Sequence, residues 1–259
     1  MLKLLRWMAV SFSMYSRIPM PRFTWQEDDM KYSLLFFPMV GLVIGGVTLG
    51  IHCITAVSAL PLFVRSIVTL LVPVLMTGGF HLDGFMDTED ALRSYQPRDR
   101  KLEILKDPHI GAFAVIGLGS CMLVAAAAIG TVLCFGSRRT LIVLAAVFVV
   151  SRALAGILAL RLPKARKKGM LAEETKGKQG VLLAVLSAWL MAGIAVMLAA
   201  DWIAGVAVTV CLVLSLIRYA WLTAREFGGV TGDTTGYFIT FSEAASFAVL
   251  AVIAWRPWA

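Results

Sequence analysis

The stretch Gly78-Gly79-Phe80-His81-Leu82-Asp83-Gly84-Phe85-Met86-Asp87-Thr88-Glu89-Asp90 concentrates the residues of this chain best suited to chemistry. If it is helical, Asp83 and Asp87 stand at i, i+4 and Asp87 and Asp90 at i, i+3, so three carboxylates share one face. Like charges so placed repel one another, and the arrangement persists cheaply only around a cation. Oxygen donors without cysteine, and with at most one histidine, favour magnesium or calcium over zinc, and Mg2+ commonly joins one or two carboxylates to substrate phosphates. The expectation is therefore Mg2+ on Asp83, Asp87 and Asp90, against the plainer meaning of an acidic run, a solvated surface. His81, two residues before Asp83, is either a satisfied structural histidine or a base or phosphate donor.

A second constellation follows near the C-terminus, Gly228-Gly229-Val230-Thr231-Gly232-Asp233-Thr234-Thr235-Gly236. Glycines mixed with small hydroxyl residues let backbone N–H groups approach a phosphate, and a helix starting there turns its positive dipole end toward the same point. Gly229, Thr231, Gly232 and Thr234 are the candidate phosphate contacts, with a tight interhelical turn as the simpler alternative. Three charges fall inside apolar segments, Arg152, Arg218 and Glu243, and such residues are costly and usually paired or functional. Counted from the expected helix ends at about 1.5 Å per residue, they lie roughly 12, 6 and 9 Å deep. Either Arg152 and Glu243 form an ion pair or an arginine lines a polyanion pocket; both imply a polar cavity in one half of the membrane. Carboxylates, a glycine loop and arginines around one cavity together point to transfer at a phosphate or diphosphate.

The elements that must position these residues are membrane helices. Of the 259 residues 59% are hydrophobic and only 15% charged, and the mean hydropathy is +0.82, which excludes disorder and argues against a soluble globule. Seven windows approach the roughly 20 apolar residues that a span needs: 34–60, 61–80, 110–135, 140–160, 181–200, 202–222 and 237–256. The second is the weakest, with Arg65 near one end, Pro73 in its middle and Gly78-Gly79 at the other, so six spans are possible if it is re-entrant. The fold class expected is an all-α polytopic bundle of about seven transmembrane helices, forming one membrane-embedded catalytic domain over 1–259.

Charge supplies the sidedness. The net charge of +8 reads as topology rather than nucleic-acid binding, because no basic stripe with interleaved aromatics is present. With a cytoplasmic N-terminus, eighteen Lys and Arg fall on that side, in segments 3–31, 93–106 and 161–178 and at Arg225. Only Arg65, Arg138, Arg139 and Arg256 fall opposite, as the positive-inside rule requires. All carboxylates except Asp201 fall on the cytoplasmic loops or close to cytoplasmic helix ends. The N-terminal segment, with Leu2, Leu5, Met8 and Phe12 at helical spacing, reads as a retained amphipathic helix rather than a signal peptide. Cys53, Cys121, Cys134 and Cys211 show no metal or redox spacing and read as packing residues.

The chain resembles the cobalamin synthase family, the adenosylcobinamide-GDP ribazoletransferases, over nearly its whole length. The resemblance is carried by SRIPMP at 16–21, MTGGFHLDGFMDTEDAL at 76–92, LEILKDPHIGAFAV at 102–115, SRA at 151–153, ARKKG at 165–169 and GGVTGDTTGYFITFSE at 228–243. It departs at Pro108-His109 and at Ala91, where the family more often has other residues. The resemblance implies a Mg2+-dependent transferase of the inner membrane, with its active site on the cytoplasmic side. It would join α-ribazole, or its 5'-phosphate, to adenosylcobinamide-GDP and release GMP. Carried onto this sequence, it implies Asp83, Asp87 and Asp90 as metal ligands and Asp107 and Asp233 as further ligands or base candidates. Lys106, Thr231 and the amides of Gly229 and Gly232 would meet the diphosphate. His81, Arg152, Thr234 and Glu243 complete the candidate set. Expected partners are those small molecules and the lipid bilayer, with a homo-oligomer possible. A CDP-alcohol phosphotransferase fits less well, since D-x3-D-x2-D lacks the downstream G-x3-D-x3-D half. A cation-coupled transporter fits less well because the carboxylates cluster at the surface rather than the midplane.

Overall fold

The computed structural model describes residues 3–166 and 169–255; Lys167, Lys168 and Arg256, counted in the charge split, and Leu2 of the amphipathic pattern lie outside the described residues. An amphipathic helix α1 (Lys3–Tyr15) and a short α2 (Glu27–Lys31) precede a 3-10 turn (Ser33–Phe36) that runs straight into α3 (Phe37–Ala56). Then follow α4 (Leu62–Thr77), α5 (Phe80–Arg93), α6 (Arg98–Ile104), α7 (Ala112–Phe135) and α8 (Arg138–Arg161). The chain ends with α9 (Met170–Glu174), α10 (Gln179–Ala200), α11 (Trp202–Glu226) and α12 (Gly232–Ala254).

Among the described residues six helices are long and apolar enough to cross a membrane, Ser33–Ala56, α7, α8, α10, α11 and α12, and the number rises to seven if the bent pair of α4 and α5 is counted as one span. By helix length and hydropathy this is a multi-pass membrane protein, as the sequence windows require. α8 is the axis of the bundle, buried along almost its whole length from Thr140 to Leu160 and flanked by α3, α10 and α12. Glycine makes the tightest of these contacts possible, since a methyl group on Gly41 would lie 2.1 Å from the Phe148 carbonyl oxygen and one on Gly45 2.6 Å from that of Ala145 across the α3–α8 interface. The cysteines are only partly packing residues, because Cys53 and Cys134 lie on exposed faces.

The weak second window ends where the chain turns sharply. Gly78 (φ 68°) and Gly79 (φ 81°) are consecutive left-handed residues, a conformation that side chains with a Cβ resist. They turn α5 by 93° from α4. The residues that look like a polar loop from 81 to 93 are therefore a helix packed across the end of the bundle against α12 and α7. The last span likewise starts earlier than its apolar window. α12 begins at Gly232, because Thr231 caps it: the Thr231 hydroxyl accepts from the Thr234 N–H (3.1 Å) and the Thr234 hydroxyl from the Thr231 N–H (2.9 Å).

Candidate active site

α5 and α12 cross at glycine. A methyl group on Gly84 would lie 2.7 Å from the carbonyl oxygen of Asp233 and one on Gly236 3.0 Å from that of His81, so the two backbones touch. This contact places the carboxylates of α5 beside the first turn of α12. Asp87, half-buried, lies within the fields of Asp83, Asp233 and Asp90, so the fourth aspartate of the group comes from the glycine-rich segment 150 residues away along the chain. Asp83 and Asp233 open into a cavity of about 220 Å³ whose polar wall is completed by Gly84, Gly232, Lys164 and Arg166.

Local sequence explains how each wall is held. Lys164 and Val230 form an isolated parallel bridge, in which the Val230 N–H donates to the Pro163 carbonyl (2.8 Å) and the Ala165 N–H to the Val230 carbonyl (3.1 Å). The bridge fastens the segment after α8 to the segment before α12. Arg166 then reaches over the cavity, donating from Nη2 to the Leu102 carbonyl (2.8 Å) and lying 3.8 Å from the Asp233 carboxylate, while its Nε is buried without a partner. α6 is tied down by Arg98, whose Nε donates to the Phe227 carbonyl (2.7 Å), and by an ion pair of Lys101 with Glu226.

Asp90 has a second occupation. Its Oδ1 accepts from the Ala114 N–H (2.9 Å) and its Oδ2 from the Gly111 N–H, so it caps α7 from outside and locks α5 to it. The hydroxyls of Thr231 and Thr234 are likewise spent on the cap of α12, and both residues are buried. At this helix start the amide groups, rather than these side chains, remain to meet an anion.

Other expected residues stand apart from this cavity. Lys106 and Asp107 are exposed on the α6–α7 connection, where Asp107 accepts from the His109 N–H (3.0 Å) and pairs with its Nδ1 (2.6 Å). Those two contacts hold the Asp107 carboxyl below its usual range. Arg152 and Glu243 form the buried ion pair, at 2.7 Å, with Ser151 donating to the same carboxylate oxygen (2.8 Å) and Arg152 also donating to the Phe148 carbonyl (2.9 Å). His81 is buried below the aspartates, stacked on Phe37 at 5.8 Å, and lines a separate cavity of about 50 Å³ with Arg152 and Glu243. The polar cavity foreseen in the bundle thus exists, but it is divided into a core ion-pair chamber and a surface chamber holding the aspartates.

Sequence reasoning missed Lys164 and Arg166 as cavity residues, although their basic run on the aspartate side was a usable signal. It also missed a buried contact in which the Tyr15 hydroxyl donates to Glu174, joining α1 to α9. Burial pushes the Glu174 carboxyl up to about 7, and Tyr15 is raised by burial and by Glu174.

The arrangement defines a class: a polytopic helical membrane protein whose bundle carries, at one end, an aspartate-faced and arginine-walled chamber. A family model described as cobalamin-5-phosphate synthase (CobS) matches residues 7–251, and the chain belongs to that family. Among curated relatives, an adenosylcobinamide-GDP ribazoletransferase of Lachnoclostridium phytofermentans is 36% identical over 244 residues, 93% of this chain and 92% of the relative. Proteins of the same description from Pseudomonas syringae pv. syringae (35% over 256 residues, 95% and 98%) and Clostridium perfringens strain 13 (30% over 251 residues, 94% and 96%) are similar over comparable lengths. No solved structure matches the chain.

Proposed function

We propose that this chain joins α-ribazole, or its 5'-phosphate, to adenosylcobinamide-GDP and releases GMP, and that it does so in the chamber between α5 and α12. The observation that carries the assignment to this chamber is the meeting of Asp83 and Asp87 with Asp233 at the Gly84 crossing, under Arg166. In the reaction a hydroxyl of the acceptor forms a new P–O bond to the phosphorus on the cobinamide side. The anhydride P–O bond breaks and GMP leaves with its electrons. The hydroxyl proton passes to a carboxylate, for which Asp233 is placed. Arg166, with an unpartnered Nε, and the free amides of the α12 start grip the diphosphate and meet the charge that develops on the departing phosphate.

The donor set suits Mg2+. Four carboxylates act on one another here with one arginine nearby, yet among the described residues no three His, Cys, Asp or Glu side chains close into a cage of their own. Mg2+ bound there would need substrate oxygens to complete its shell. Asp83 and Asp87 would hold Mg2+, with Asp233 opposite and Asp90 limited to the lone pairs left by its two amide bonds; bound there, the ion supplies positive charge to the diphosphate. The charge asymmetry of the loops supports an inner-membrane location with the chamber facing the cytoplasm. Purified protein supplied with both substrates should release GMP in step with formation of the joined corrinoid. Failure of the pair of substrates to yield GMP would refute this function.

A further inference from the structure

The chamber that holds Asp83 and Asp233 has a second wall of a different character. Phe80, Met170, Leu171, Ala172 and Val230 line the same 220 Å³, and Phe80 and Met170 remain 41% and 46% exposed. Large apolar side chains left open beside carboxylates and an arginine are not there for the charged end of any substrate. They match a flat apolar group that must lie within one helical turn of the reacting phosphorus, since Phe80 precedes Asp83 by three residues on α5.

Two aromatic bases take part in the proposed reaction. Guanine presents a Watson–Crick edge of donors and acceptors, and burying it against this wall would leave those groups unpaired, at a cost of about 1–3 kcal/mol for each. No side chain of Phe80, Met170, Leu171, Ala172 or Val230 can answer them. The base of α-ribazole is a dimethylated benzimidazole, apolar on both faces and along the methylated edge. Resting on the function proposed above, we infer that Phe80 and the α9 wall, Met170 to Ala172, form the binding site for the base of the acceptor nucleoside, and so determine which acceptor is used.

The wall is built to keep its shape. α9 is anchored from behind by the buried contact between Glu174 and Tyr15 of α1, and Phe80 packs edge-on to the same Tyr15 ring at 6.3 Å. α1 thus holds both sides of the apolar wall at a fixed separation, although it contributes nothing to the polar one.

The test uses the full chain in lipid nanodiscs, varying one substrate at saturating concentrations of the other. Met170→Ala should raise KM for α-ribazole about tenfold, the usual worth of a lost apolar contact, and leave KM for adenosylcobinamide-GDP within about twofold. Ala172→Phe, which fills the chamber and does not depend on removing packing, should do the same. An acceptor with an unmethylated benzimidazole should be discriminated against by the wild type and less so by Met170→Ala. Acceptor KM unmoved in both variants, or a rise instead in KM for the GDP-bearing substrate and in the inhibition constant of GMP, overturns the inference. Absence of GMP release by the wild-type protein would overturn the transferase assignment itself, and the site with it.

Discussion

Replacing Gly84 by alanine perturbs the site without touching a functional side chain. The added methyl would lie 2.7 Å from the Asp233 carbonyl oxygen and 2.9 Å from its Cα. Carbon–oxygen contacts of this kind settle at about 3.3–3.6 Å, so α5 and α12 must part by roughly 0.6–0.9 Å. Neither opposing atom belongs to a flexible side chain, so the strain falls on two packed helices and should cost about 1–3 kcal/mol of stability. The separation moves the helix that carries Asp83 and Asp87 away from the turn that carries Asp233, and a misplacement near 1 Å in a reacting constellation lowers turnover on the order of a hundredfold. GMP release and melting temperature, measured on the same preparation, give both numbers. Gly46→Ala is the control: it lies in α3 with nothing within 4 Å of the added methyl, and should leave activity unchanged and stability equal or slightly higher. Turnover of the Gly84 variant within about threefold of wild type would show that the α5–α12 distance does not set catalysis.

Arg166→Ala should weaken binding of the GDP-bearing substrate by roughly ten- to a hundredfold, from the loss of a charged hydrogen-bonding partner, while KM for α-ribazole stays near its wild-type value; steady-state kinetics in both substrates checks this. Glu174 titrates near 7 when folded against an ordinary value of 4.5, so the unfolded chain releases this proton first and stability falls as pH rises between those limits. Glu174→Gln should therefore melt above wild type at pH 8, where the penalty is on the order of 3 kcal/mol, and show no gain at pH 4, as thermal melts at the two pH values would reveal. In a chain freed of its own cysteines, Tyr95→Cys and Arg138→Cys should react with an impermeant thiol reagent from opposite sides of the membrane; labelling from one side refutes the seven-span topology.

Spans and their number were legible because hydrophobic length is a one-dimensional property, and α7, α8, α10 and α11 fall where uninterrupted apolar runs place them. The start of α12 was not, since Gly232 to Gly236 are polar or small and become helical through the Thr231 cap rather than through apolar content. The shared face of Asp83 and Asp87 followed from helical spacing, but its partner could not: that Asp233 completes the group depends on two glycines at a helix crossing. Arg152 and Glu243 could be placed at similar depth, and only packing shows that they spend their charges on each other instead of on a ligand. Asp90 illustrates the same limit, because no pattern in the sequence announces that a carboxylate of one helix will cap another that begins at Ala112.

The most direct test of the central claim, that the aspartate face of α5 carries the transfer, is GMP release over a range of Mg2+ concentrations by wild type, Asp83→Asn and Asp87→Asn. The substitutions preserve side-chain volume and remove only charge. Saturable Mg2+ dependence in the wild type, with turnover lowered by about 10³ or more in both variants at unchanged melting temperature, is the predicted result. Wild-type-like turnover and Mg2+ dependence in both variants would contradict the account.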